Sequence, residues 1–302
     1  MNILELKHKY LESQDFKLLA SKTQKDYVYF LNIMLSTSVN GRHVEKSRVS
    51  TFTGVKARRA YETWLNRGVS FANHICSVSK KMYSYANEMG YAETNPFKTF
   101  KCKTTHNRKV TWTRQQVKTF LDECYLSFEY RNLGLIVQMA YEWCQRVGDM
   151  RLLKFSSIDF DTGVLNLEQS KRRALVHLPI SDDLLAMLTQ QKEEFGFQEW
   201  VAPYPFTRRK SYQPYTLHRL SKVARRVLDL CGLPKELRIA DLRRTGTTEM
   251  VEAGVSMAQI MSVTGHSTPN SVKPYMKNTY ASAENALTKR ETYVKSTLDV
   301  PR

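Results

Sequence analysis

Long apolar runs are missing from this 302-residue chain. No stretch approaches the ~18 consecutive apolar residues that a membrane span requires. The first ten residues, MNILELKHKY, carry Glu5, Lys7 and Lys9 where a secretory leader would be apolar. Paired cysteines are missing as well. Cys76, Cys102, Cys124, Cys144 and Cys231 are odd in number and scattered, with no C-x-x-C. That spacing excludes a disulfide framework and a thiolate zinc site and points to reduced, intracellular thiols. The seven histidines are equally dispersed, so no metal site is expected. The chain lacks G-x-x-x-x-G-K-[ST], G-x-G-x-x-G, H-E-x-x-H and G-x-S-x-G. P-loop, dinucleotide, zinc-protease and serine-hydrolase chemistries are thereby set aside. Acidic residues are scarce: 29 Asp and Glu stand against 46 Lys and Arg, a net charge of +17. With 42% hydrophobic and 25% charged residues the composition is that of a folded globular protein. The basic excess therefore favours a polyanionic partner, nucleic acid first.

Periodicity divides the chain. Residues 1–100 read as helices. Ser21 and Gln24 have capping-box spacing ahead of Tyr27, Phe30, Leu31 and Met34. Ala57, Ala60, Tyr61 and Trp64 form a second stripe before Gly68, and Ile75, Val78, Met82, Tyr85 and Met89 a third, opening at Ser70 or Asn73 and ending at Gly90. Arg58, Arg59, Arg67, Lys80 and Lys81 fall on the polar faces. Residues 101–112 are a basic linker: KCKTTHNRKVTWTR, from 101 to 114, holds five Lys or Arg and no acid. A second domain runs over 113–302. Thr113 and Gln116 cap its first helix, and Val117, Phe120, Leu121 and Cys124 supply its stripe. Segments 157–160, 164–167 and 174–178 alternate polar and apolar residues around turn chemistry at Asp161-Thr162-Gly163, which predicts a three-stranded antiparallel meander. Its second tip spans Gln169 to Arg173. Residues 206–226 interleave seven Lys or Arg with aromatics, as phosphate and base contacts require. A helix from about Asp241 ends at Gly254. Ser256 and Gln259 cap the next, which stops at Gly265. Thr268-Pro269 opens a short helix bearing Tyr275, and an amphipathic tail helix with Ala286, Leu287 and Tyr293 follows.

Four boxes stand in order within this pattern: Arg146-Val147-Gly148-Asp149-Met150 ahead of Ile158, Gln169-Ser170-Lys171 in a hairpin tip, Ala240-Asp241-Leu242-Arg243-Arg244-Thr245, and Gly265-His266 nine positions before Tyr275. From about residue 113 to 280 they resemble the tyrosine recombinase (phage integrase) family, and the helical first part, residues 1–100, including Ala86 through Asn95-Pro96-Phe97, resembles that family's core-binding domain. The resemblance implies a fold that is mainly α with a small antiparallel β-sheet: a helical core-binding domain plus a mixed α/β catalytic domain. It implies a site-specific DNA recombinase that cuts and rejoins strands through a 3′-phosphotyrosine, without cofactor, metal or ATP. The expected catalytic residues are Arg146, Lys171, Arg243, His266 and Tyr275, with Asp149 in support. Arg146 and Arg243 would clamp non-bridging phosphate oxygens. Tyr275 would attack phosphorus, Lys171 would protonate the leaving 5′ oxygen, and His266 would hydrogen-bond the phosphate.

One box departs from the pattern. The histidine usually found three positions before the second arginine is Ala240, which can neither accept a proton nor donate one. The destination of the phenol proton stays open between a neighbouring group and water. DNA contacts are expected from Arg58, Arg59, Lys80, Lys81, Lys101, Lys103, Arg108, Lys109, Arg172, Arg173, Arg208, Arg209, Lys210 and Arg244. The implied partners are double-stranded DNA carrying attachment or recombination sites, a homotetramer, and accessory directionality or host DNA-bending factors, in the cytoplasm (nucleoid) of a bacterial host. Integration or excision of a phage or mobile-element genome is the favoured role. The rivals are a type IB topoisomerase-like relaxing enzyme and a non-catalytic DNA-binding derivative of the fold.

Overall fold

A computed structural model describes the chain except residues 106–107, 172, 206–211, 277–279 and 299–302, and the side chains of 281, 282, 297 and 298. It falls into two compact units, Met1–Arg108 and Lys109–Arg302.

The first unit contains α1 (Ile3–Glu12), α2 (Gln14–Lys17), α3 (Ser21–Ser36), a two-stranded hairpin of β1 (Ser38–Val39) and β2 (Arg42–His43), α4 (Gly54–Leu65) and α5 (Val69–Glu88). The stripes face one another as their spacing requires: Leu31, Met34, Ala57, Ala60, Tyr61, Trp64, Ile75 and Met82 share one core. Three details depart from the sequence reading. Ser21 does not cap α3; Ala20 stands at the N-cap, and Gln24 instead donates through Nε2 to the carbonyls of Lys17 and Leu19. The end of the preceding helix offered unsatisfied acceptors closer to hand. α5 opens at Val69 behind Gly68, whose φ of +104° only glycine takes readily. Met89, the last point of the third stripe, is exposed. The segment after Asn95 is not loose: Phe97 is buried and stacks on Trp64, with centroids 6.4 Å apart.

The second unit begins with α6 (Arg114–Tyr125), opened by the Thr113–Gln116 capping box with both halves formed. Trp112, read from sequence as the last linker residue, is a core residue here. Its backbone N–H donates to Thr245 Oγ1 and its indole N–H to the Arg238 carbonyl. α7 (Phe128–Glu142) is the central helix, followed by α8 (Val147–Met150). The expected meander forms as β3 (Ile158–Asp159), β4 (Val164–Glu168) and β5 (Leu175–Pro179), antiparallel in the order β3-β4-β5 with Leu165 opposite Leu178 and Leu167 opposite Val176. Those four apolar residues point into the core and Asn166, Glu168 and His177 point out, the period-two pattern of a sheet covered on one face. α9 (Asp182–Phe195), α10 (Leu217–Leu230), α11 (Leu242–Glu252), α12 (Met257–Thr264) and α13 (Tyr280–Leu298) complete the unit. Ser256 and Gln259 form their capping box, and Gly265 ends α12 in the left-handed region. Thr268-Pro269 does not open a helix that reaches Tyr275. Two separate 3-10 turns, Pro269–Ser271 and Lys273–Tyr275, replace it. A second proline, Pro274, lies where a continuous helix would need a backbone donor. Ala286, Leu287 and Tyr293 of α13 are exposed, and Asn285 and Lys289 tie the helix to the carbonyls of Glu252 and Gly254.

Candidate active site

The chain turns sharply after α7. Cys144 adopts φ +52°, an uncommon conformation for a residue with a side chain. The turn sends Gln145 into the interior and leaves Arg146 at the N-cap of α8, ahead of the helical body in which its box predicted it. Asp149, one turn on and 4% exposed, places Oδ2 3.6 Å from Arg146 Nη1. Its Oδ1 accepts from the backbone N–H and the hydroxyl of Ser170 in the β4–β5 connection. One carboxylate thus holds the first arginine box against the hairpin that carries Lys171.

Gln169 is not part of the exposed tip, where the sequence reading placed it. It is fully buried at the hairpin's neck, closed by backbone bonds to Ala174 and Arg173. Its Oε1 accepts from Arg146 Nη1 at 2.9 Å, and its Nε2 donates to Gln145 Oε1 at 2.7 Å and to the Thr264 carbonyl at 2.8 Å. Gln145, also fully buried, donates to the carbonyls of Trp143 and Val263. Arg243 approaches from α11, donating through Nη2 to the Thr264 carbonyl at 2.6 Å and through Nη1 toward Gln145 Oε1 at 3.4 Å.

The end of α12 supplies the imidazole. Thr264 donates its hydroxyl to the Ile260 carbonyl at 2.6 Å, so its oxygen has only lone pairs to offer His266 Nδ1, 2.6 Å away. Nδ1 must therefore be the protonated nitrogen. Nε2 is left facing Arg243 Nη2 at 3.4 Å. Gly265 makes this corner possible twice over. Its φ is +66°, and a Cβ there would stand 2.7 Å from Gln169 Nε2. Tyr275 is half-buried with its ring 5.7 Å from that of His266. The Arg244 guanidinium lies 5.1 Å from the Tyr275 ring centroid.

Burial first, and then the neighbouring Arg146 charge, lower the Arg243 guanidinium pKa to about 10 against the opposing pull of Tyr275, Cys144 and Asp149. Two cations held this close, with Asp149 as the buried carboxylate beside them, form a site that a dianionic or monoanionic oxyacid would relieve. Burial raises the Cys144 thiol to about 12, so it is a packing group and not a nucleophile.

The structure thus gathers Arg146, Asp149, Arg243, His266 and Tyr275. Lys171 is exposed at the tip, one residue beyond Ser170. Ala240 is exposed in the 3-10 turn Ile239–Asp241 that leads into α11. Of the expected DNA contacts, Lys80, Lys81, Lys101, Lys103 and Lys109 are exposed and Arg108 half-buried. Arg58 pairs with Glu62 at 2.9 Å, Arg59 donates to Asn40, and Arg173 pairs with Glu168 at 3.0 Å. Arg172, Arg208, Arg209 and Lys210 lie outside the described residues. Sequence reasoning missed Gln145, Gln169 and Thr264. The signal was adjacency: Gln145 directly precedes Arg146, and Gln169 opens the box that holds Lys171.

The model of the phage integrase family matches residues 111–282. A tyrosine recombinase of Pseudothermotoga lettingae is 21% identical over 257 residues, which cover 83% of this chain and 84% of that protein. Among solved structures, a lambda integrase dimer bound to a COC′ core site superposes with a TM-score of 0.74 at 20% identity, covering 90% of this chain and 97% of that one. The Tn1549 transposon integrase in complex with a circular intermediate DNA gives 0.77 at 14% identity, covering 96% and 99%. A lambda integrase tetramer bound to a Holliday junction gives 0.74 at 20% identity, covering 92% and 78%.

Proposed function

Because the chain belongs to the phage integrase family of tyrosine recombinases, we propose that it is an active DNA strand transferase that integrates or excises a phage or mobile-element genome. The carrying observation is the convergence of two guanidiniums, an imidazole and a phenol, with a lysine on the adjoining hairpin. Lambda integrase and the Tn1549 integrase were solved on DNA, one of them as a tetramer on a Holliday junction. Double-stranded DNA and a homotetramer are the partners proposed for this chain.

In the first step the Tyr275 oxygen bonds to phosphorus, the bond to the 5′ oxygen breaks, and Lys171 delivers a proton to that oxygen. The phosphate stays esterified to tyrosine, so no external energy source is needed when another 5′-hydroxyl reverses the step. Negative charge growing on the non-bridging oxygens is met by Arg146 and Arg243, whose planar forks are fixed before the substrate arrives. A neutral His266 presents only a lone pair at Nε2, because Nδ1–H is committed to Thr264; to donate to phosphate from Nε2 it must be the imidazolium. With alanine at 240, the phenol proton leaves to solvent, which reaches the half-buried Tyr275.

The reading is tested with a library of nicked duplexes of randomised sequence, in which cleavage near the nick releases a short strand and traps protein on DNA. The expected result is a protein–DNA adduct that survives denaturation, is lost in Tyr275→Phe, and yields the core-site sequence when its DNA is read. A wild-type chain that forms no adduct overturns the proposal.

A further inference from the structure

Gln145 and Gln169 form a chain of two amides between the two arginines. Its hydrogen bonding leaves little choice of orientation. Both N–H bonds of Gln145 go to main-chain carbonyls, of Trp143 and Val263, and its oxygen receives Gln169 Nε2 and Arg243 Nη1. Turning either amide over would set donors against donors and oxygen against carbonyls. The carbonyl ends are therefore fixed toward the guanidiniums. The Thr264 carbonyl accepts from Gln169 and from Arg243 alike, and Gly265 supplies the room.

We infer that Gln145 and Gln169 are positioning residues that set the spacing of Arg146 and Arg243 to the non-bridging oxygens of one phosphate, and that Gln169 also holds the Lys171 hairpin to that same frame. Neutral amides suit this role better than carboxylates. A carboxylate at either place would accept the same hydrogen bonds, but its charge would compete with the phosphate for both arginines. Gln169 has a second duty because it is the last buried residue before the tip. Arg146 grips its oxygen, and Asp149 grips Ser170 next to it, so a shift at residue 169 moves the arginine and the lysine together. The inference rests on the strand-transfer reading above.

The test uses the full chain and one core site from the library, made with three scissile linkages: a normal phosphodiester, a methylphosphonate lacking one non-bridging oxygen, and a 5′-phosphorothiolate whose leaving thiolate needs no proton. Gln145→Met and Gln169→Met are expected to slow adduct formation on the phosphodiester about 10–100-fold at saturating DNA, with the half-saturating DNA concentration unchanged. On the methylphosphonate both penalties shrink several-fold, because one oxygen no longer needs to be matched. On the phosphorothiolate only the Gln169→Met penalty shrinks, because only that residue also governs Lys171. Gln145→Asn and Gln169→Asn, which keep a neutral amide one methylene shorter, serve if a methionine variant does not fold, and are expected to show the same pattern. Equal penalties on all three linkages, or none, overturn the inference. Absence of an adduct from the wild-type chain on the phosphodiester overturns the strand-transfer reading instead.

Discussion

The sulfur of Cys144 occupies the space in which a side chain on residue 246 would stand. A Cβ on Gly246 would fall 2.5 Å from Cys144 Sγ and 3.1 Å from the Tyr141 carbonyl. This close approach lets α11 pack against the end of α7, and so brings Arg243 to the turn that carries Gln145 and Arg146.

Gly246→Ala is accordingly expected to destabilise the protein by about 1–3 kcal/mol through overpacking. It should also slow adduct formation. Cys144→Ala on the same chain removes the obstructing sulfur, so the double variant should recover part of the loss. Denaturant unfolding of the four proteins of the cycle measures the coupling; strictly additive losses would contradict the packing account.

Gly265→Ala meets two obstacles, the left-handed backbone and the Gln169 amide. A cost of about 1–2 kcal/mol is expected from the backbone alone. Activity should fall further than stability, because the amide that must move is the one holding Arg146. Thermal denaturation and adduct rate, measured side by side, separate the two effects.

Asp149→Asn keeps the shape but removes the charge beside Arg146 and weakens the acceptor for Ser170. Adduct formation is expected to slow about 10–100-fold. The bridging 5′-phosphorothiolate should restore part of that rate, since the hairpin bearing Lys171 is what the carboxylate tethers.

The paired guanidiniums should bind a small tetrahedral anion without DNA. Sulfate at about ten times its Kd, with ionic strength held constant by chloride, is expected to stabilise the wild type by about 1.4 kcal/mol. In a unit of this size that raises the denaturation midpoint by roughly 3–5 °C. Arg146→Met and Arg243→Met should each lose most of the increment. The sign with pH follows from the lowered Arg243 pKa. Below about 10 the guanidinium carries its charge and the increment is constant; it fades as pH rises through that value, because the neutral form no longer attracts the anion. An increment that survives in both variants would place the anion elsewhere.

Much of the fold was legible because it rests on short-range chemistry. The Thr113–Gln116 and Ser256–Gln259 capping boxes close within three residues, and the alternation in 164–168 and 175–179 needs only a covered face. Ser21–Gln24 has the same spacing as those boxes and failed, since the carbonyls of Lys17 and Leu19 competed for the glutamine. The β1–β2 hairpin was illegible for a similar reason: two residues per strand leave no periodicity to read.

By itself the sequence determined the list of chemical groups and their order along the chain: Arg146, Lys171, Arg243, His266, Tyr275, and an alanine at 240 where a histidine is usual. Residue identity is covalent and needs no folding to be known. Tertiary structure alone decided which nitrogen of His266 keeps the proton, that Gln169 is buried at the neck of its hairpin, and that two amides span the distance between arginines 97 positions apart. Those facts depend on hydrogen bonds among α7, α11, α12 and the β4–β5 hairpin, and no pattern of spacing within one segment records what another segment offers it.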